Sequence, residues 1–255
     1  MSDPVYLELK QKQACLFNAK LHLLTMQQTV ELIIRAIKDR LRLTHCVINV
    51  AKLVQMQKDR SLAEAVNSCD LVNVDGMGLV WGGRFLHIAI PERVTGIDLM
   101  QNLFARAEIE GMRIFLLGAT SEVLAKMVAH VREKWPRLVI AGYQDGYFQT
   151  VDEVHVVDKI QDSQADMLFI AISSPKKELF IAKYAPVLKV PFIMGVGGSF
   201  DVLAGRVQRA PRWMQRSGLE WLYRLAQEPR RMWKRYLVTN CLFVWMLIKQ
   251  KWRSK

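Results

Sequence analysis

Short apolar runs recur along the first 200 residues, and between them apolar positions return every three or four. Residues 46–50, 70–74, 113–118, 138–142, 167–172 and 191–196 are apolar almost throughout. Such runs fit strands of a sheet covered on both faces, because a half-exposed strand would alternate. The segments between them read as helices. Thr25 and Gln28 form a capping box ahead of Val30, Ile33, Ile34 and Ile37, which fall on one helical face. Ser61 is placed to cap a short helix through Ala65 and Val66, and Asp98 to cap one that runs to about Glu110. Further helices are predicted over 121–135, over 151–161 and after Pro175 to about Tyr184. Ahead of these, residues 5–9 and 14–17 read as two short strands, paired as a hairpin through 10–13. Six strands alternating with helices predict a mostly parallel, Rossmann-like α/β sheet with helices on both faces.

Near residue 205 the rhythm changes. Residues 219–227 and 230–249 read as two helices separated at Pro229. Residues 206–255 hold 13 Lys and Arg against Glu220 and Glu228, a net +11 out of the chain's formal +12, and five of its seven tryptophans. The chain therefore divides into a near-neutral body, 1–205, and a basic, Trp-rich helical appendage, 206–255. Arginines interleaved with Trp213, Trp221, Tyr223, Trp233 and Tyr236 suit an interfacial helix on an anionic membrane. A nucleic-acid surface would share the charge but has no use for the apolar run 242–248. Packing of that run on the body or on a sister subunit is the other reading. No segment reaches the roughly 20 apolar residues that span a bilayer. The first residues, with Asp3 and Glu8 among them, predict no signal peptide. Four cysteines without CxxC spacing read as buried, reduced thiols.

The stretch 73–99 gathers the candidate chemistry. Its strand stops on Asp75-Gly76, and an acid at the carboxyl end of a strand sits where open α/β sheets bind ligands. Asp75 is either a general base or the N-cap of a helix starting at Met77. Arg93 is either a guanidinium fork for phosphate oxygens or a structural partner of Glu92 or Asp98. Asp145-Gly146 reads as a tight turn, and its position after a strand and before Tyr147 keeps a nucleotide role open for it. Glycines 195, 197 and 198 do not complete GxGxxG, which leaves the dinucleotide reading weak. The five histidines have no ligand spacing and no DxD occurs, so no metal and no cofactor are predicted. Protein cations and strand-end amides must then hold any diphosphate.

VDGMGLVW, PERVTGIDLM, FLLGA, AGYQDGYF, SSPKKELF, GVGGSFDVLAGRVQRAP and GLEWLYRLAQEPRRMWKRY occur in that order along the chain. Together they resemble the WecG/TagA/CpsF glycosyltransferases (glycosyltransferase family 26). The resemblance implies an inverting, metal-independent transfer from a UDP-sugar to a polyprenyl-diphosphate-linked saccharide, in cell-surface polysaccharide synthesis, at the cytoplasmic face of the membrane. It implies Asp75 as base, Arg93 as a cation needed for activity and Asn49 lining the site. Tyr147 and Asp201 match positions near the nucleotide, and Arg224 and Arg231 match tail arginines that meet the diphosphate. The tail would attach to the membrane, with monomer formation coupled to activity. Where the family has glutamine this chain has Lys177, which would either contact the diphosphate or pair with Asp75 and lower its basicity. Val47 stands where some relatives have threonine. The alternative is a non-catalytic, membrane-peripheral scaffold that binds nucleotide or lipid.

Overall fold

The structure, a computed structural model, describes residues 3–253, with the side chains of Arg216, Arg231 and Arg235 outside the description. The chain opens with helix α1 (Pro4–Gln11), followed by an antiparallel hairpin of β1 (Gln13–Leu16) and β2 (Ala19–His22). Residues 5–9 are thus helical rather than a strand. Asp3 accepts a hydrogen bond from the Val5 amide and Pro4 occupies the first turn, a start signal that outweighs the alternation of Val5, Leu7 and Leu9. The hairpin forms one segment later than predicted.

Helix α2 (Met26–Lys38) begins at the expected Thr25–Gln28 capping box. Then come β3 (Leu43–Ile48), α3 (Val50–Met56), α4 (Arg60–Ser68), β4 (Leu71–Val74), α5 (Met77–Phe85) and α6 (Gly96–Glu110). The second half of the body runs β5 (Arg113–Gly118), α7 (Ser121–Lys134), β6 (Val139–Gln144), α8 (Glu153–Asp162), β7 (Met167–Ala171), α9 (Lys176–Tyr184), β8 (Phe192–Gly195) and α10 (Ser199–Leu203). Two caps differ from expectation. Asp59, not Ser61, accepts the Leu62 amide at the start of α4. Thr95, not Asp98, accepts at the start of α6, and that releases the Asp98 carboxylate for the site.

Strands β3 to β8 form one parallel sheet in the order β4-β3-β8-β7-β5-β6, as the continuous apolar runs require. Ile114 and Leu116 of β5 point into one layer with α1, α2, α6 and α7. Phe115 and Leu117 point into the other, with α3, α4, α5, α8 and α9. Each fully buried side chain of this kind contributes about 1.5–3 kcal/mol relative to exposure. Cys46 and Cys69 lie buried in the second layer, whereas Cys15 and Cys241 are exposed; all four are free thiols.

The tail forms α11 (Arg212–Arg216), α12 (Glu220–Gln227) and α13 (Pro229–Arg253); α13 packs along α3, and the tail also touches α5 at three places. At the start of α5, Gly218 holds φ +76 against Met77, where a side chain would meet Met77 Cβ at 2.7 Å. In the middle, buried Phe243 lies over Gly82; a Cβ there would stand 2.5 Å from the Phe243 ring. At the end, Lys251 Nζ donates to the Phe85 carbonyl at 3.0 Å and lies 2.8 Å from His87 Nε2. The run 242–248 is therefore partly spent on the body, through Leu242, Phe243, Met246 and Leu247. Trp213, Trp233, Leu237, Val244, Trp245 and Trp252 stay exposed.

Candidate functional site

Asn49 and Asp75 follow the neighbouring parallel strands β3 and β4, so pairing alone sets them side by side at the carboxyl edge of the sheet. Asn49 caps α3, its side chain accepting from the Lys52 amide at 3.0 Å. The Asp75 amide donates to the Ile48 carbonyl at 2.7 Å, which fixes the turn. Helix α5 starts from Gly76 with no side-chain cap, so Asp75 is not spent as its N-cap. Instead the Asp75 carboxylate is left for the site, where the Gly96 amide at the first turn of α6 favours its charged form. Burial pushes its pKa above the usual carboxylate range; Arg224 and Arg93 pull down, Glu220 pushes up, and burial wins. A raised carboxylate is a better proton acceptor near neutral pH than an ordinary surface aspartate.

Four charged groups from the two parts of the chain surround it. Arg93 donates from Nη1 to Glu220 Oε2 at 2.9 Å, with both side chains about 15% exposed. Its structural partner is thus an acid of the tail, not Glu92 or Asp98. Arg224 Nη2 and Arg209 Nε approach Glu220 Oε1 at 3.8 and 3.9 Å. Arg209 grips Asp98 with both terminal nitrogens, at 2.5 and 2.6 Å. Beside them opens a cleft of about 440 Å³ lined by Arg93, Asp98, Gln101, Arg209, Arg212 and Gln215.

The structure brings Asn49, Asp75, Arg93 and Arg224 to one place. Arg231 falls on α13, but its side chain lies outside the described residues. Lys177 is buried at 4% exposure and its ammonium is bonded to Glu178, not to Asp75. Glu178 is fully buried and also accepts from Lys52 Nζ at 2.7 Å, while Lys52 donates to the Val47 carbonyl. This triad ties α3, which follows β3, to α9, which follows β7. Burial would raise the Glu178 carboxyl, yet the two ammoniums hold it at about 2. Burial and the neighbouring Lys52 bring Lys177 down to about 8.

Asp201 follows β8, two strand positions from β4, and its carboxylate lies 3.7 Å from Arg206. Tyr147 follows β6, five positions from β4, or about 24 Å along the sheet edge. It is 79% exposed, and its amide donates to Asp145 in the predicted turn. A second cleft, about 520 Å³, has Thr120, Lys126, Gly205 and Arg206, the partner of Asp201, in its walls. Arg209 and Glu220 are not among the site residues the sequence predicts, and Asp98 reads there only as a helix cap or a partner of Arg93. Glu220 carried one signal: it is one of only two acids among 13 bases.

A strand-end carboxylate that can take a proton, set among guanidiniums that can hold a departing phosphate, has the parts a group-transfer enzyme needs. The chain belongs to the glycosyl transferase WecG/TagA/CpsF family, whose match covers residues 14–255; it is a glycosyltransferase. It is 39% identical, over 180 residues, to the N-acetylglucosaminyldiphosphoundecaprenol N-acetyl-beta-D-mannosaminyltransferase of Bacillus subtilis strain 168, covering 71% of this chain and 69% of that protein. The protein of the same name from Bacillus spizizenii strain W23 matches at 39% over 182 residues, with the same coverage. Among the described residues no group of three or more His, Cys, Asp or Glu is placed to hold a metal ion. No described helix is long and apolar enough to cross a membrane.

Proposed function

We propose that this glycosyltransferase moves a sugar, with inversion and without a metal ion, from a UDP-sugar to a polyprenyl-diphosphate-linked saccharide. Asp75 takes the proton of the attacking acceptor hydroxyl. The hydroxyl oxygen bonds to the anomeric carbon from the face opposite UDP, the bond from that carbon to UDP breaks, and its electron pair leaves with the diphosphate. Arg93 and Arg224 meet the charge that develops there. Asn49 lines the sugar subsite beside Asp75. The nucleoside end extends toward Asp201 and Tyr147 along the second cleft. The observation that carries this reading is the half-buried Asp75, its pKa raised, with the charges of Arg224 and Arg93 acting on it. The relatives' names, which specify a diphosphoundecaprenol acceptor, support the lipid-linked substrate.

Residues 206–255 serve as the membrane-attaching appendage in this reading, at the inner face of the membrane. Its support is the exposed row Trp233, Leu237, Val244, Trp245 and Trp252, set beside exposed Arg230, Lys234 and Lys249. Sedimentation with anionic vesicles is expected to retain the wild type and to lose a Trp245→Glu, Trp252→Glu double variant.

The reaction itself is tested by screening UDP-sugars for transfer to a polyprenyl-diphosphate acceptor and reading the product's anomeric configuration by NMR. Inversion is expected; retention of the donor's configuration would exclude a single-base displacement.

A further inference from the structure

Three guanidiniums converge on the Glu220 carboxylate, but only one of them is hydrogen-bonded to it. Arg93 is bonded at 2.9 Å, while Arg224 at 3.8 Å and Arg209 at 3.9 Å are held by charge alone. The Arg209 Nε–H is buried and has no acceptor at all. A buried donor of that kind is normally satisfied, so the set has unused capacity for oxygen atoms. One carboxylate supplies two oxygens in one plane; a diphosphate supplies more, spread in three dimensions. Glu220 also lies close enough to Asp75 for its charge to push the Asp75 pKa up.

We propose that Glu220 is an internal stand-in for the donor diphosphate. In the ligand-free protein it occupies the anion seat between Arg93, Arg209 and Arg224, and the donor diphosphate binds by displacing it from these cations. The stand-in keeps three guanidiniums gathered without a ligand, because an unneutralised cluster at this burial would repel itself apart. It also couples the tail to the site. Glu220 opens α12, next to the Gly218 turn that seats on Met77, so exchanging its carboxylate for a ligand phosphate transfers the tail's grip from Arg93 to the substrate. Arg209 thereby becomes a diphosphate contact, with its terminal nitrogens anchored by Asp98 and its Nε free for a phosphate oxygen.

This inference rests on the reading that Arg93 meets the donor diphosphate, and the test separates the two. UDP and uridine are titrated calorimetrically into full-length wild type, Glu220→Gln and Arg93→Met. Glu220→Gln is expected to tighten UDP by about tenfold, the scale of a typical coupling between competing sites, and to leave uridine unchanged. Arg93→Met is expected to weaken UDP and spare uridine. If Arg93→Met weakens UDP while Glu220→Gln leaves it as in wild type or weakens it, the displacement is wrong and the diphosphate placement stands. If Arg93→Met leaves UDP unchanged, the diphosphate placement itself fails, and the displacement with it. A Glu220→Gln protein that also loses uridine shows that Glu220 holds the fold of the site rather than its anion seat, which overturns the proposal. Glu220→Asp, which keeps the charge, is expected to stay within about threefold of wild type for UDP.

Discussion

Arg93 of the body and Glu220 of the tail are joined by a 2.9 Å ion pair, both side chains about 15% exposed. The bond crosses 127 residues of sequence and closes a wall of the site that neither part has alone. The tail is seated by the packing of α13 along α3 and by contacts at the start, middle and end of α5.

Gly82 is the most exacting of those contacts. Gly82→Ala improves the intrinsic helix propensity of α5 by about 1 kcal/mol, yet its Cβ would stand 2.5 Å from the Phe243 ring. The expected outcome is a body as stable as wild type with a loosened α13: faster amide exchange over 229–253 and transfer activity lowered about tenfold or more through the lost closure. Unchanged exchange over α13 would mean that the Phe243 contact does not hold the tail.

The acid limb of the pH–rate profile follows from the direction of the Asp75 shift. Its folded-state pKa is raised by burial, so the ionised base is lost at a higher pH than an ordinary aspartate would require. The neighbouring cations oppose that shift, so Arg224→Met should move the limb further toward neutral pH. Glu220→Gln should move it the other way. A kcat/KM profile for each variant checks both signs. The same raised pKa makes the folded state bind more protons than the unfolded one, so this group's contribution to stability falls as pH rises through the window above the ordinary value. Asp75→Asn should then melt no lower than wild type at neutral pH.

The buried Lys52–Glu178–Lys177 triad gives an asymmetric stability prediction. Glu178→Gln strips the anion from two buried ammoniums and is expected to cost about 3–5 kcal/mol, the range for breaking a buried pair. Lys177→Gln leaves the Lys52–Glu178 pair intact and replaces the ammonium with an amide that can still donate to Glu178; its expected cost is under about 1 kcal/mol. Chemical denaturation at pH 7 measures both. Lys177 adds a signature of its own: with its pKa lowered to about 8, wild-type stability should gain a contribution as pH rises from about 8 toward the ordinary lysine value, and Lys177→Gln should lose that gain.

The sheet was legible because its strands, the partly exposed edge strand β6 apart, are buried on both faces and read as apolar runs; β4, β5, β7 and β8 fall within those runs, while β3 starts three residues before its run and β6 ends two residues after its own. Asp75 was legible because strand-end acids in such sheets lie at the ligand edge, whatever packs over them. The N-terminal helix was misread because Val5, Leu7 and Leu9 alternate like a strand, and the Asp3-Pro4 start signal was the better guide. Thr95 and Asp98 each suit a helix start, and only the Arg209 grip on Asp98 shows why the threonine does the capping. Glu220 and Arg209 were invisible for another reason. Their hydrogen-bonded partners in the body, Arg93 and Asp98, lie more than 100 residues away, brought near by the docking of the tail on α3 and α5, and no local pattern encodes that. Lys177 was left open between the diphosphate and Asp75, and a third partner beside it in sequence, Glu178, takes its ammonium.

The central claim is that Asp75 is the base. The direct measurement is the transfer rate of Asp75→Asn, with a UDP-sugar donor and a polyprenyl-diphosphate-linked acceptor, alongside its thermal melt. Removal of a general base is expected to lower kcat by about 10²–10⁴-fold, in a protein that melts no lower than wild type. Near-wild-type turnover in the folded variant would contradict the account.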